Sequence, residues 1–226
     1  MERIIDSRFT DPPHRIPDLD TVAGKKPPEY ATVRRLNFRI NPGANEDEPD
    51  ELELYFTGAC VTVKLTDYPR GLAELLDLVR TGNFAYPDAG YTKPAAPYKT
   101  QISLNNSAYR YIIYRLSDKK NWQFSHRKPP FSVGEEEAEA KAYFEARRIS
   151  AKGEEQSGDG PETHGCRTAY FVADGDLRNS QKPLPAGYTD AYNIHVDLIF
   201  KGSDGKPTYV PVDIDPDVRH PGGSGA

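Results

Sequence analysis

The chain is poor in the residues that mark several protein classes. Its 226 residues include only two cysteines, one methionine and one tryptophan, and hydrophobic residues make up 37%. Cys60 and Cys166 are too few for a disulfide framework, although a single bridge between them stays open. No apolar run approaches the length of a membrane span, and the N-terminus lacks the apolar core of a signal peptide. The sequence therefore predicts a cytoplasmic protein without a membrane segment.

The chain also lacks a large excess of either positive or negative charge. The chain carries 29 basic and 34 acidic residues, which gives a formal net charge of −5. Nucleic-acid binding draws its affinity from many Lys and Arg contacts to phosphate, so this balance makes nucleic acid an unexpected partner. The sequence also lacks a glycine-rich phosphate loop and the ligand spacing of a zinc site. Proline (20), glycine (18) and tyrosine (14) are plentiful, which indicates many turns and half-buried strands.

Alternating apolar residues predict about eight strands, and only two segments have a helical pattern. The strands are expected at 32–40, 52–56, 61–65, 100–104, 109–116, 121–126 and 167–173, followed by a C-terminal hairpin. The first helix is expected at 69–80, with Asp67 as its cap, and the second at 135–149, which is acidic at its start and basic at its end. The predicted fold class is α+β and mainly β, with antiparallel sandwich-like sheets, two short helices and long Pro/Gly-rich loops.

The domain organisation follows from composition. Residues 1–30 are studded with proline and have no helical or strand period, which predicts an extended N-terminal arm. Residues 31–220 are predicted to form a single β-rich globular domain, and residues 221–226 a flexible tail. An extended arm can lie across a neighbouring subunit, so the sequence predicts a homo-oligomer held through this arm.

The most informative feature is the C-terminal hairpin. Apolar residues alternate with polar ones in 194–200 and again in 210–218, and a glycine-containing loop separates the two runs. If both strands bury their apolar face, His195 lies opposite Asp213 or Asp215, and Asp197 lies opposite Pro211 or Asp213. Oxygen ligands gathered on one face suit a divalent cation such as calcium or magnesium, although the EF-hand spacing is not met. The predicted ligands are Asp197, Asp213, Asp215, Asp217 and His195.

The same residues have a structural interpretation, in which the acidic face is solvated or protects an edge strand from aggregation.

Two further motifs give weaker indications of function. His164 precedes Cys166 by two residues, which is compatible with a catalytic cysteine but is not the usual arrangement of one. The segment 122–128 mixes aromatic and basic residues, as surfaces that bind single-stranded nucleic acid do, and equally as an ordinary amphipathic strand does.

These observations favour a non-enzymatic interaction or self-assembling structural protein, with a divalent cation at the acidic hairpin. An alternative is a metal-dependent hydrolase or nucleotidyl-transferring enzyme, in which Asp197, Asp213 and Asp215 hold cations and His195 is a ligand or general base. A third interpretation is a small-molecule binding module lined by Tyr109, Tyr111 and Tyr114. The first is preferred because no motif in the sequence specifies a catalytic site.

Overall fold

A computed structural model describes most of the chain. The described residues are 5–6, 26–42, 50–56, 61–86, 102–103, 109–133, 142–156, 164–175, 189–190, 192–214 and 218–219. Asp215, Asp217 and Cys60 lie outside them, as do most of the predicted arm and the whole predicted tail. Within these ranges, no helix is long and apolar enough to cross a membrane.

Strands dominate the described residues. They are β1 (Ile5–Asp6), β2 (Tyr30–Asn41), β3 (Asp50–Phe56), β4 (Val61–Lys64), β5 (Ile102–Ser103), β6 (Tyr109–Leu116), β7 (Trp122–Phe124), β8 (Phe131–Val133), β9 (Tyr143–Ile149), β10 (Glu155–Gln156), β11 (Thr168–Asp174), β12 (Thr189–Asp190), β13 (Tyr192–Lys201), β14 (Pro207–Ile214) and β15 (Val218–Arg219). Helical structure includes α1 (Leu72–Thr81) and a short 3-10 helix, Leu65–Asp67. The prediction of a mainly β fold is therefore confirmed.

The strands form three sheets. The large sheet has the order β1-β3-β2-β6-β11-β9-β10, with β4 also paired to β2. It is mixed, because β2 and β6 run parallel whereas β6, β11 and β9 run antiparallel. The small sheet is antiparallel, with the order β14-β13-β7 and with β8 also paired to β13. Short strands β12, β15 and β5 form the third sheet.

The large sheet is buried on both faces. One face packs against α1 through an apolar cluster that includes Leu75, Val79 and Tyr111. The opposite face packs against the small sheet through a second cluster, which includes Tyr114 from β6 and Tyr192 from β13. The hydroxyls of these two tyrosines lie 2.6 Å apart in the core, so a hydrogen bond joins the two sheets. The layers are thus helix, large sheet and small sheet.

The prediction of a helix at 135–149 is wrong for the residues of this segment that the structure describes. Residues Tyr143–Ile149 form β9, which pairs with β11 inside the large sheet. A β-bulge interrupts this pairing, and Glu145 within it has a positive φ of 59°. The bulge shifts the alternation, so that Tyr143 faces the small sheet while Phe144 and Ile149 face α1. A strand with a shifted period does not show the simple alternation that identifies a strand in sequence.

The first helix begins later than predicted. A 3-10 turn and residues 68–71 precede α1, and Gly71 rather than Asp67 is its N-cap. Its C-terminal boundary agrees with the prediction, because Gly82 adopts the left-handed conformation with a φ of 78° and donates its N–H to the last turn. The predicted apolar stripe is also present, since Leu75, Leu76 and Val79 are buried.

Candidate functional site

The acidic hairpin forms with one of the predicted registers. β13 and β14 are antiparallel neighbours, with His195 opposite Asp213 and Asp197 opposite Pro211. The alternate residues Ile194, Val196 and Leu198 belong to the core between the two sheets. The polar residues of both strands therefore lie together on the other face of the small sheet.

A chain of hydrogen bonds crosses three strands of this face. The Ser132 hydroxyl of β8 lies 2.8 Å from Nε2 of His195, and Nδ1 of His195 lies 2.5 Å from Oδ1 of Asp213. When Nδ1 carries the imidazole proton and donates it to Asp213, Nε2 accepts the hydrogen bond of the Ser132 hydroxyl. Lys128 donates from Nζ to the other Asp213 oxygen, Oδ2, at 2.5 Å. We call the three residues Ser132, His195 and Asp213 the Ser132–His195–Asp213 chain, and Lys128 is its neighbour.

The two ends of this chain differ in exposure. Ser132 and His195 are buried, whereas the Lys128 side chain is 43% exposed and that of Asp213 is 14% exposed. Burial raises the pKa of Asp213, but hydrogen bonds from His195 and Lys128 outweigh burial and hold the pKa below its ordinary value. Asp213 is therefore a carboxylate at neutral pH, placed to stabilise a positive charge on His195 or Lys128.

A second carboxylate, Asp197, lies beside the chain on β13. Its Oδ2 accepts hydrogen bonds from the backbone N–H of His126 at 2.9 Å and from Nε2 of Gln123 at 3.2 Å. Nδ1 of His126 lies 2.6 Å from the same oxygen. The other oxygen of Asp197, Oδ1, is buried and has no hydrogen-bond partner among the described residues. The contact with Asp197 thus fixes the orientation of the His126 ring.

Hydrogen bonds hold the turn that carries His126 and Lys128. The Ser125 hydroxyl accepts from the backbone N–H groups of Arg127 and Lys128, both at 3.2 Å. Arg148 of β9 is fully buried and donates to the Ser125 carbonyl and, at 2.9 Å, to the Lys128 carbonyl. Hydrogen bonds from a charged donor are roughly twice as strong as neutral ones. Arg148 is therefore a positioning residue for the turn.

Three rings, one of them His126 of this turn, form a cluster. The rings of His126 and His164 stack with centroids 4.6 Å apart and an interplanar angle of 27°. Tyr209 of β14 contacts both, with centroid distances of 5.1 Å to His126 and 4.9 Å to His164. The Gly165 N–H donates to Oε1 of Gln123 at 2.8 Å and so fixes the segment that carries His164. We call His126, His164 and Tyr209 the ring cluster.

The predicted cation ligands are only partly brought together. His195 and Asp213 are in contact, but Asp197 is engaged by His126 and Gln123 instead. Both oxygens of Asp213 already accept hydrogen bonds. Among the described residues, no group of three or more His, Cys, Asp or Glu side chains could hold a metal ion. The described residues therefore do not support metal binding at the hairpin, and Asp215 and Asp217, which lie outside them, remain predictions.

The described residues support neither a cysteine nucleophile nor the predicted tyrosine pocket. Cys166 is free and buried, and burial raises its pKa to about 11, which is opposite to what a cysteine nucleophile requires. Tyr111 and Tyr114 face opposite sides of the large sheet, so the predicted tyrosine pocket does not form. Trp122 and Phe124 are fully buried in the core, which leaves no stacking surface on that strand.

Sequence reasoning missed Ser132, Lys128 and His126 as site residues. Lys128 and Asp213 are 85 positions apart, and Ser132 and His195 are 63 apart, so only the fold brings them together. Residues 131–133 are too few to show alternation, and β8 was not expected. The basic end of 122–128 was the one available signal, since it places a cation directly after a strand.

One comparison with known proteins gives a match. A family model described as "Predicted novel nucleotide synthetase" (pNTSase1) matches residues 92–223, which is more than half of the chain. The matched segment contains the whole small sheet, the turn with Lys128 and the Ser132–His195–Asp213 chain. No curated protein matches the sequence. The match overturns the prediction of a non-enzymatic, self-assembling structural protein and favours the alternative of a nucleotidyl-transferring enzyme. The chain belongs to the family described as a predicted novel nucleotide synthetase.

Proposed function

We propose that this protein is a nucleotidyl-transferring enzyme and that its active site is the Ser132–His195–Asp213 chain together with Lys128. The observation that carries the proposal is the position of Asp213, which binds His195 through one oxygen and Lys128 through the other. One carboxylate therefore contacts both the imidazole of His195, which we propose accepts a proton, and the ammonium of Lys128, which we propose binds phosphate. All four residues lie within the segment that matches the family.

The proposed reaction transfers a nucleotidyl group from a nucleoside triphosphate to an acceptor hydroxyl. A hydroxyl of the acceptor attacks the α-phosphorus of a nucleoside triphosphate, a new oxygen–phosphorus bond forms, and the bond from the α-phosphorus to the bridging oxygen breaks. Pyrophosphate leaves, and the acceptor hydroxyl loses its proton. His195 takes up that proton at Nε2 through the Ser132 hydroxyl, which passes on its own proton as it receives the one from the acceptor.

Charge stabilisation divides between two groups. Asp213 stabilises the imidazolium that forms on His195, and burial of His195 strengthens this attraction because the local dielectric constant is low. Lys128 provides a mobile ammonium that can turn from Asp213 to a phosphate oxygen, since almost half of its side chain is exposed. We assign Ser132, whose hydroxyl lies 2.8 Å from Nε2 of His195, to relay a proton from the acceptor hydroxyl to that nitrogen.

Pyrophosphate release from a mixture of the four ribonucleoside triphosphates with Mg²⁺ tests this proposal. Each triphosphate can then act as donor and as acceptor, and mass spectrometry identifies the product. His195→Gln should lower kcat about 10²- to 10⁴-fold, the usual contribution of general base catalysis. Lys128→Met should mainly raise KM. Lys206→Met is the matched control, because Lys206 is 84% exposed and pairs only with Asp204 among the described residues.

Two outcomes would overturn the proposal. One is unchanged pyrophosphate release by both His195→Gln and Lys128→Met. The other is the absence of any pyrophosphate release by the folded wild-type protein with all four triphosphates.

A further inference from the structure

We propose that the ring cluster of His126, His164 and Tyr209 is the platform on which the base of the nucleotide substrate stacks. This inference rests on the proposed function and adds the way in which the nucleotide is oriented. Nothing in the chemistry of the Ser132–His195–Asp213 chain requires these rings. They form a separate feature of the same sheet face.

The three rings differ in exposure. His164 is exposed, and Tyr209 and His126 are half-buried. His126 stacks on one face of the His164 ring, and we assign the other face to an incoming ring. Bases stack on aromatic side chains with a contribution of about 1–3 kcal/mol per base, and this stacking tolerates all four bases because each has a π-face.

The platform is held in place by buried polar groups. His126 is fixed by two contacts to Asp197, through its ring and through its backbone N–H. Gln123 joins Asp197 to the Gly165 N–H and so connects both histidines to one carboxylate. Hydrogen bonds that fix ring orientation before binding lower the entropy cost of stacking a ligand.

The distance to the phosphate-binding group suits one nucleotide. Lys128 follows His126 by two positions in the same hydrogen-bonded turn. Tyr209 and Asp213 lie on the same face of β14, four residues apart, which corresponds to roughly 13 Å along a strand. A nucleotide whose base lies on the ring cluster therefore extends its phosphates toward Lys128 and the Ser132–His195–Asp213 chain.

Equilibrium binding of ATP and of inorganic tripolyphosphate separates the platform from the phosphate site. Wild-type protein should bind ATP about 5- to 150-fold more tightly than tripolyphosphate, which lacks a base. His164→Ala and Tyr209→Leu should each remove much of that difference and leave the affinity for tripolyphosphate unchanged. Lys128→Met should weaken the binding of both ligands.

Phe200→Leu is the matched control. Phe200 is 43% exposed on β13, next to β14, and makes no ring contact with the cluster in the described structure. Its replacement should change neither affinity. A second readout uses the wild-type protein alone, where ATP should shift the proton resonances of the His164 ring upfield and tripolyphosphate should not.

The outcomes distinguish this inference from the proposed function. If His164→Ala and Tyr209→Leu bind ATP as the wild type does, while Lys128→Met binds it weakly, the ring cluster is not the platform and the active site stands. Absence of a His164 shift with saturating ATP leads to the same conclusion. If folded wild-type protein binds neither ATP nor tripolyphosphate, both proposals fail.

Discussion

Replacing Asp213 by asparagine isolates the contribution of its charge. The substitution keeps the size of the side chain and one oxygen that can accept from Nδ1 of His195. The amide nitrogen then faces the Lys128 ammonium, so that two donors oppose each other where an ion pair stood. The hydrogen bond to His195 persists as a neutral one, which is roughly half as strong as its charge-assisted counterpart.

The expected magnitudes follow from burial and contact. Hydrogen bonds to charged groups contribute about 1.5–3 kcal/mol, and the Lys128 pair contributes less because that side chain is 43% exposed. We expect Asp213→Asn to lower the free energy of unfolding by about 1–2 kcal/mol at pH 7. We expect a larger effect on kcat, about 10²- to 10⁴-fold, because the imidazolium loses its counter-ion.

The stability difference should depend on pH in one direction. The pKa of Asp213 in the folded protein is held below its ordinary value of 3.8, so the carboxylate stabilises the folded state fully above that pH. The contribution falls away as pH drops below 3.8 through the folded-state pKa. The asparagine variant lacks this titration, and the gap between the two proteins should therefore narrow as the pH falls toward 3.8 and below it.

Urea unfolding from pH 7 to pH 3 measures this gap, and pyrophosphate release measures the effect on turnover. Asp204→Asn is the control, since it makes the same chemical change on a residue whose side chain is 60% exposed and whose Lys206 partner is 3.8 Å away. A variant with unchanged stability and unchanged kcat would refute the assignment of Asp213. A stability gap that closes between pH 7 and pH 5 would refute the pKa argument.

Three further predictions concern the structure around the site. Arg148→Met removes the buried donor to the carbonyls of turn 125–128 and should cost about 1–3 kcal/mol for each carbonyl that loses it, measured by urea unfolding. Tyr114→Phe deletes the hydrogen bond to Tyr192 between the two sheets and should cost about 1 kcal/mol; an unchanged unfolding midpoint would contradict this. Cys166 should resist a thiol reagent at pH 8 in the folded protein and react at once in denaturant, because burial raises its pKa to about 11.

The register of the hairpin could be predicted from sequence because one face of it is buried. Moving either strand by one residue would place Ile194 and Val212 on the polar face, so the alternation allows few pairings. The sequence places His195 opposite Asp213 or Asp215, and the structure has the first of these pairings, in which His195 contacts Asp213. A local rule was sufficient there because the two residues are only 18 positions apart.

The rest of the site depends on contacts between distant parts of the chain. Ser132, Lys128 and His164 reach it from segments that have no shared period with the hairpin. A site assembled in this way leaves no local motif, and that is why a non-enzymatic protein seemed the better interpretation. The prediction that the N-terminal arm mediates a homo-oligomer remains a prediction.

The error at 143–149 has a different cause. The bulge at Glu145 moves Arg148 to the side of the small sheet, where it holds the turn of Lys128. A charged residue that is fully buried in a strand is uncommon, and its sequence environment resembles the basic end of a helix. The feature that concealed the strand is thus the one that positions Arg148 for the site.

The position of the bond that breaks in ATP distinguishes nucleotidyl transfer from hydrolysis of the terminal phosphate. The measurement uses ATP labelled in one sample at the α-phosphorus and in another at the γ-phosphorus, with chromatography of the products. We expect the α-label in a new nucleotide product and the γ-label of each donor ATP in pyrophosphate, with one pyrophosphate released for each new phosphodiester bond, and we expect His195→Gln to lose both signals together. Release of the γ-label as inorganic phosphate, with the α-label still in ADP, would contradict nucleotidyl transfer at this site.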